Sequence, residues 1–133
     1  MNAAVLVAPA DRVIEHCAQC AHYLAEATLH ADMKRGTLDE KRERRKILRS
    51  HLLNAYLAML WAEEPVNELS DTNTTNVNIK MAYVKVAAIT TALHKSVAGE
   101  LLIHPTLMER EIEAAKDRLK KLERACRIQS GMA

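Results

Sequence analysis

The stretch Met108–Cys126, MEREIEAAKDRLKKLERAC, decides the fold class. Its apolar residues recur in alternating steps of four and three, which keeps them on one face of an α-helix. The acidic residues come first and the basic residues last, the order that the helix dipole favours. We therefore predict an amphipathic helix over about residues 107–129. Its buried face would consist of Met108, Ile112, Ala115, Leu119, Leu122 and Cys126.

Three further helices are predicted before this one, over about residues 9–33, 38–64 and 75–103. Gly36 supplies a left-handed cap that ends the first helix, and Thr37–Glu40 fits a capping box that opens the second. Pro65 is expected to end the second helix because it lacks a backbone N–H. A second capping box at Thr106 is expected to open the fourth helix.

Residues 65–78, PVNELSDTNTTNVN, are rich in asparagine and threonine and predict one long connection between helices two and three. Residues 77–83 alternate apolar with polar side chains, which is also typical of a β-strand. A helical spacing that keeps one apolar face over five turns explains more of the segment, so we prefer a helix. That face comprises Ile79, Ala82, Val86, Ile89, Leu93 and Val97.

Length and composition favour a single all-α domain over residues 1–133. Apolar residues make up 49% of the 133 residues, and there are only three glycines and three prolines. This composition favours helices over a turn-rich sandwich or barrel. Four helices joined by short, long and short connections predict an antiparallel four-helix bundle.

The sequence predicts a cytoplasmic protein that does not enter a membrane. The first ten residues lack the basic stretch that begins a signal peptide. The apolar run Leu52–Ala62 is much shorter than the roughly twenty residues that span a bilayer. Three cysteines, an odd number, are expected to stay reduced.

Several classes of enzyme are excluded by missing motifs. With glycine only at three separate positions, no phosphate-binding loop or dinucleotide fingerprint can be written. No glutamate has a histidine three residues later, as di-iron bundles require, and no G-x-S-x-G motif is present. We therefore expect a protein that is not an enzyme and that binds no cofactor.

Two groups of residues suggest a metal, but a structural role is favoured for both. Cys17, Cys20 and Cys126 could supply three thiolates, yet all three occupy predicted core positions. His22, Glu26 and His30 share four-residue spacing, but exposed side chains of these types usually face water. No metal site is predicted.

A basic run within residues 37–49 predicts a nucleic-acid interface. Arginine binds phosphate well, and +2 is too small a net charge to attract DNA or RNA without such a patch. With no Phe and few aromatic residues, contact with the backbone is expected rather than stacking on bases. A solvated helical face and an acidic protein partner remain open alternatives. The predicted site comprises Lys41, Arg42, Arg44, Arg45, Lys46 and Arg49.

The second half of helix two, LLNAYLAMLWA, is apolar nearly all round, which predicts an oligomer interface as well as core contacts. Its candidate residues are Tyr56, Leu57, Leu60 and Trp61. Our first hypothesis is an accessory protein that forms a homo-oligomer and binds the nucleic-acid backbone or a nucleoprotein complex. The alternative is a protein-interaction module, such as an adaptor, inhibitor or chaperone, that uses the same surfaces.

Overall fold

The computed structural model describes residues 7–32, 34–100 and 104–131. It contains four long helices, α1 (Pro9–Thr28), α2 (Leu38–Glu68), α3 (Thr74–Lys95) and α4 (Met108–Ser130). A π-helical turn, Ser96–Glu100, follows α3, and a 3-10 turn, Pro105–Leu107, precedes α4. Across these ranges there is no β-strand, and residues 77–83 lie inside α3. The helical alternative for that segment is therefore correct.

The four helices form a ring in which each helix packs against two others. Helix α1 contacts α2 and α4, and α3 contacts the same two helices. Because consecutive helices are neighbours joined by short connections, they run antiparallel. The predicted all-α four-helix bundle is confirmed.

The core consists of the stripes that helical spacing predicted. All six predicted positions of α4 are buried. Helix α1 buries residues at the same steps of four and three, namely Val13, Cys17, Cys20, Leu24 and Ala27. Of the six positions predicted for the third helix, Ala82 is half-buried and the other five are buried, although Val97 lies in the π-helical turn after α3. Full burial of one large aliphatic side chain stabilises the fold by roughly 1.5 to 3 kcal/mol. Leu24, Leu52, Leu93 and Leu122, each at most 1% exposed, are among the largest contributors.

The prediction that Pro65 ends the second helix was wrong, because α2 continues through Pro65 to Glu68. Proline removes one intrahelical hydrogen bond. Here the ring of Pro65 and the side chain of Val66 are both buried in the core, which offsets that loss. The predicted long connection over residues 65–78 is therefore only the five residues 69–73.

Asparagines in this region begin α3 instead of forming a loop. The side chain of Asn73 is the N-cap and accepts a hydrogen bond from the backbone N–H of Asn76 at 2.8 Å. Asn76 is buried, and its side-chain amide donates to the carbonyl of Ser70 at 2.9 Å. Asn73 and Asn76, which composition alone assigned to a loop, therefore cap α3 and close the turn before it.

Two predicted helix ends also differ from the structure. Helix α1 ends at Thr28 and not near residue 33, so Gly36, with φ +89°, lies in the connection just before α2. Helix α3 ends at Lys95, and Gly99 adopts φ +106° within the π-helical turn. Met33 and residues 101–103, which the prediction assigned to helices, lie outside the described residues.

The two predicted capping boxes had different outcomes. The box at Thr37 and Glu40 is present at the start of α2. The box at Thr106 was wrong: Leu107 is the N-cap of α4, with no side-chain cap. The hydroxyl of Thr106 lies 2.8 Å from Nδ1 of His104 instead, because the 3-10 turn places it one residue too early to cap.

Charged side chains interrupt every helix. Within the described ranges, no helix has the length and apolar character needed to cross a membrane.

Candidate interaction surface on α2

The start of α2 is fixed by reciprocal hydrogen bonds between Thr37 and Glu40. The Thr37 hydroxyl accepts from the backbone N–H of Glu40 at 3.2 Å, and the Glu40 carboxylate accepts from the N–H of Thr37 at 3.2 Å. Hydrogen bonding of the carboxylate by Thr37, chiefly by its backbone N–H, holds the pKa of the Glu40 carboxyl below its usual range, because it favours the charged form. The helical turn that precedes the basic residues is therefore closed by its own side chains.

Two of the six predicted basic residues hold neighbouring segments of the bundle. Arg44 is half-buried and donates a hydrogen bond to the carbonyl of Asp32 in the connection after α1. Arg45 is exposed, but its Nη2 donates to the carbonyl of Val97, after α3, at 3.3 Å. These two guanidinium groups therefore have structural roles in addition to their charge.

Arg42, Lys46 and Arg49 present their charges on the outer face of α2. All three side chains are exposed. Among the described residues, Arg42 has a single long ion-pair contact, 3.9 Å between its Nη1 and an Asp39 carboxylate oxygen. Within the described part of the chain, Lys46 and Arg49 form no ion pair, although Glu43 lies three residues before Lys46 on the same helix. Lys41, the remaining basic residue of the run, is half-buried.

The middle of α2 exposes apolar side chains. Leu53, Leu60 and Trp61 are 37%, 47% and 68% exposed, and Leu57 is half-buried. Tyr56 is also half-buried, and its ring stacks on that of His94 in α3 at a centroid distance of 5.0 Å. Of the four predicted interface residues, Leu60 and Trp61 are thus the most accessible, while Tyr56 also belongs to the seam between α2 and α3.

The last turns of α2 are acidic. Glu63, Glu64 and Glu68 are exposed, and Glu68 forms an ion pair with Arg12 of α1. Together with Leu60, Trp61 and Asn67, these residues line an open depression of about 650 Å³. The outer surface of α2 therefore passes from basic through apolar to acidic.

We call the residues that share this outer face the outer stripe. They recur at steps of three and four along α2, which aligns them on one side of the helix. Sequence reasoning identified the basic and apolar members separately, but it missed Leu53, Glu63, Glu64 and Asn67. The same spacing, continued through the whole helix, would have found Leu53, Glu64 and Asn67. The outer stripe comprises Arg42, Lys46, Arg49, Leu53, Leu57, Leu60, Glu64 and Asn67, with the exposed Trp61 and Glu63 at its two edges.

The three thiols belong to the core. Cys17, Cys20 and Cys126 are free and completely buried. Burial raises the pKa of Cys20 and of Cys126 to about 12, and it raises that of Cys17 as well. Because the thiolate is the nucleophile and metal ligand, thiols that stay protonated are chemically inert at neutral pH.

The imidazoles near the connection between α1 and α2 pack against other rings. The ring of His30 stacks on that of His51 at a centroid distance of 5.9 Å, and the ring of Tyr23 stacks on the same His51 ring at 6.4 Å. His22 meets Tyr23 edge to face at 5.1 Å. Among the residues that the structure describes, no group of three or more histidine, cysteine, aspartate or glutamate side chains could hold a metal ion.

Comparison of the chain with protein-family models, curated proteins and solved structures gave no match. The outer stripe of α2 offers cations, aliphatic side chains and carboxylates in that order along one face. Such a surface is suited to binding by shape and charge.

Proposed function

We propose that the protein is a protein-interaction module whose outer stripe on α2 binds a partner protein. The observation that carries this proposal is the exposure of Leu53, Leu60 and Trp61 between a basic and an acidic segment. Apolar side chains at the centre of a charged rim are typical of protein interfaces, and tryptophan often contributes much of the binding energy.

The distribution of charge favours a protein partner over a nucleic acid. A phosphate backbone along the whole stripe would meet Glu63 and Glu64 at one end, where like charges repel. A protein surface can present acidic groups to Lys46 and Arg49 and basic groups to the glutamates. It can also cover the leucines between them.

Site-specific photo-cross-linking tests this proposal in cells that express the protein. A photoreactive amino acid at Leu60 should give protein adducts, and the Lys46→Glu/Arg49→Glu variant should reduce their yield. The matched control places the same probe at Ala18, an exposed position of α1. Equal adduct patterns at both positions, or none at Leu60, would contradict the proposed function.

A second candidate is binding of a DNA or RNA backbone by the basic segment alone, supported by the exposed and largely unpaired Arg42, Lys46 and Arg49. Fluorescence anisotropy with duplex DNA and structured RNA at about 50 and 200 mM salt tests it, because contacts to phosphate weaken steeply as salt rises. Binding should be lost in the Lys46→Glu/Arg49→Glu variant and retained in Lys120→Glu/Lys121→Glu, an equal change of charge on α4. No binding at low salt would reject this candidate.

Under either candidate we propose a non-enzymatic accessory role in the cytoplasm. The support for this location is the presence of three free, buried thiols. Proteins of oxidising compartments more commonly pair their cysteines in disulfides.

A further inference from the structure

The charges of the outer stripe match those of a second outer stripe that runs in the opposite direction. The basic residues Lys46 and Arg49 precede the apolar centre at Leu53 and Leu57, and the acidic residues Glu63 and Glu64 follow it. From this order we infer that the partner of the outer stripe is a second copy of this chain, with the two α2 helices packed antiparallel about a twofold axis. This inference rests on the proposed protein-interaction function of the stripe.

The spacing along α2 specifies how the two copies meet. Lys46 lies nine residues before Ala55, and Glu64 lies nine residues after it. At about 1.5 Å per residue, each lies roughly 14 Å along the helix from the level of Ala55, whose own side chain is buried in the core. With the twofold axis at that level, Lys46 of one copy lies opposite Glu64 of the other. The same axis places Leu53 opposite Leu57.

A second ion pair follows from nearly the same centre. Arg49 and Glu63 are related about position 56, within one residue of the axis at Ala55. On a helix, Lys46 and Glu64 lie to one side of the stripe, and Arg49 and Glu63 lie to the other side. In an antiparallel pair, residues on the same side of each stripe face one another. Twofold symmetry repeats each contact, so four ion pairs surround a cluster of leucines.

Other arrangements of two copies do not match these charges. Parallel α2 helices would bring Lys46 and Arg49 of the two copies together, and Glu63 and Glu64 likewise. The antiparallel arrangement also uses one surface on both copies, as a closed twofold dimer requires. The contact is essentially one helix face on each copy, which is near the small end of specific interfaces, so we expect a dimer that dissociates at micromolar concentrations.

A charge-exchange experiment tests the antiparallel register directly. Variant one is Lys46→Glu/Arg49→Glu, and variant two is Glu63→Lys/Glu64→Lys. All four side chains are exposed, so both variants should keep the helical fold, as circular dichroism can verify. Sedimentation velocity then measures the mass of each variant alone, of an equimolar mixture and of the unmodified protein, over roughly 1 to 200 μM.

The unmodified protein should form a dimer, and each variant alone should be monomeric. Reversal turns four attractions into four repulsions, each worth roughly a factor of two to five, so dimerisation should weaken by roughly 16-fold to 600-fold. The mixture should recover a dimer, because every reversed cation then faces a reversed carboxylate. The Lys120→Glu/Lys121→Glu control on α4 should dimerise normally.

An unmodified protein that stays monomeric, a variant that dimerises alone, or a mixture of folded variants that stays monomeric would overturn the self-pairing. Failure of the proposed function is distinguishable from this result. If the stripe binds a different protein, the cross-linked adducts at Leu60 persist with a mass other than twice that of the chain. If the stripe binds no protein, those adducts are absent.

Discussion

The three buried thiols predict that the protein loses stability at alkaline pH. A cysteine thiol in the unfolded chain has a pKa of about 9.0. Burial in the folded protein raises the pKa of Cys17, and it raises the pKa of Cys20 and of Cys126 to about 12. Between pH 9 and 12 the unfolded chain therefore releases protons that the folded chain keeps. Folding stability is fully present below pH 9 and declines as the pH rises.

The size of this decline follows from linkage. A thiol with a pKa of 9.0 when unfolded and about 12 when folded lowers the free energy of unfolding by about 1.4 kcal/mol between pH 8 and 10. Three such thiols together give about 4 kcal/mol, a large part of the 5 to 15 kcal/mol typical of a domain. Tyr83, whose pKa is raised by burial to about 12, adds to the decline only above about pH 10.

Urea unfolding at pH 8, 9 and 10 measures this effect. The comparison is a Cys17→Ala/Cys20→Ala/Cys126→Ala variant, whose absolute stability differs but whose dependence on pH should be much shallower. The quantity to compare is the slope of the unfolding free energy with pH, because it separates proton release from changes in packing. Equal slopes in the two proteins would refute the conclusion that the folded state holds these thiols protonated.

Three smaller predictions concern single residues, each measured by chemical denaturation. Gly36→Ala should lower the free energy of unfolding by roughly 1 to 3 kcal/mol, because φ is +89° and the new Cβ would lie 2.9 Å from Nη2 of Arg44. Gly131→Ala should cost less, because a Cβ at that position meets nothing within 4 Å. A larger loss for Gly131→Ala than for Gly36→Ala would contradict the crowding at Gly36. Thr37→Ala should lower the free energy of unfolding by about 1 kcal/mol, because it removes the side-chain cap of α2. Thr106→Ala should lower it clearly less, because the Thr106 hydroxyl caps no helix. Equal losses in the two variants would contradict the assigned N-caps. Tyr83→Phe should cost about 1 kcal/mol, because the hydroxyl donates a 2.7 Å hydrogen bond to a carbonyl of α2, and an unchanged stability would argue against that bond.

The bundle could be predicted because its core positions are strongly periodic. In α4, the six apolar residues from Met108 to Cys126 have no competing signal, and all of them are buried. The errors occurred where a local signal competes with packing. Pro65 usually ends a helix, but the core takes up its ring, so α2 continues. Asn73 and Asn76 have a loop-like composition, yet their side chains close the start of α3.

The outer stripe could be predicted only in parts, because its chemistry changes along the helix. A periodicity search looks for apolar residues, and it therefore stops where Arg49 precedes Leu53 and where Glu64 follows Leu60. Exposure depends on which side of α2 the other helices cover, and that is a property of the packed bundle. Sequence alone also treated Arg44 and Arg45 as free cations, although both donate to carbonyls of distant segments.

Beyond its acidic first turn, α2 carries its exposed charges in the reverse of the order in α4. Helix α4 has acidic residues near its N-terminus and a basic residue in its last turn, which stabilises an isolated helix. The first turn of α2 holds Asp39 and Glu40, which suit the dipole of the helix, but the exposed charges beyond it follow the opposite order, with Lys46 and Arg49 before Glu63 and Glu64. Antiparallel pairing of two copies would place these cations of one chain beside these carboxylates of the other. A charge order that does not stabilise the isolated helix would thus set the orientation of two chains.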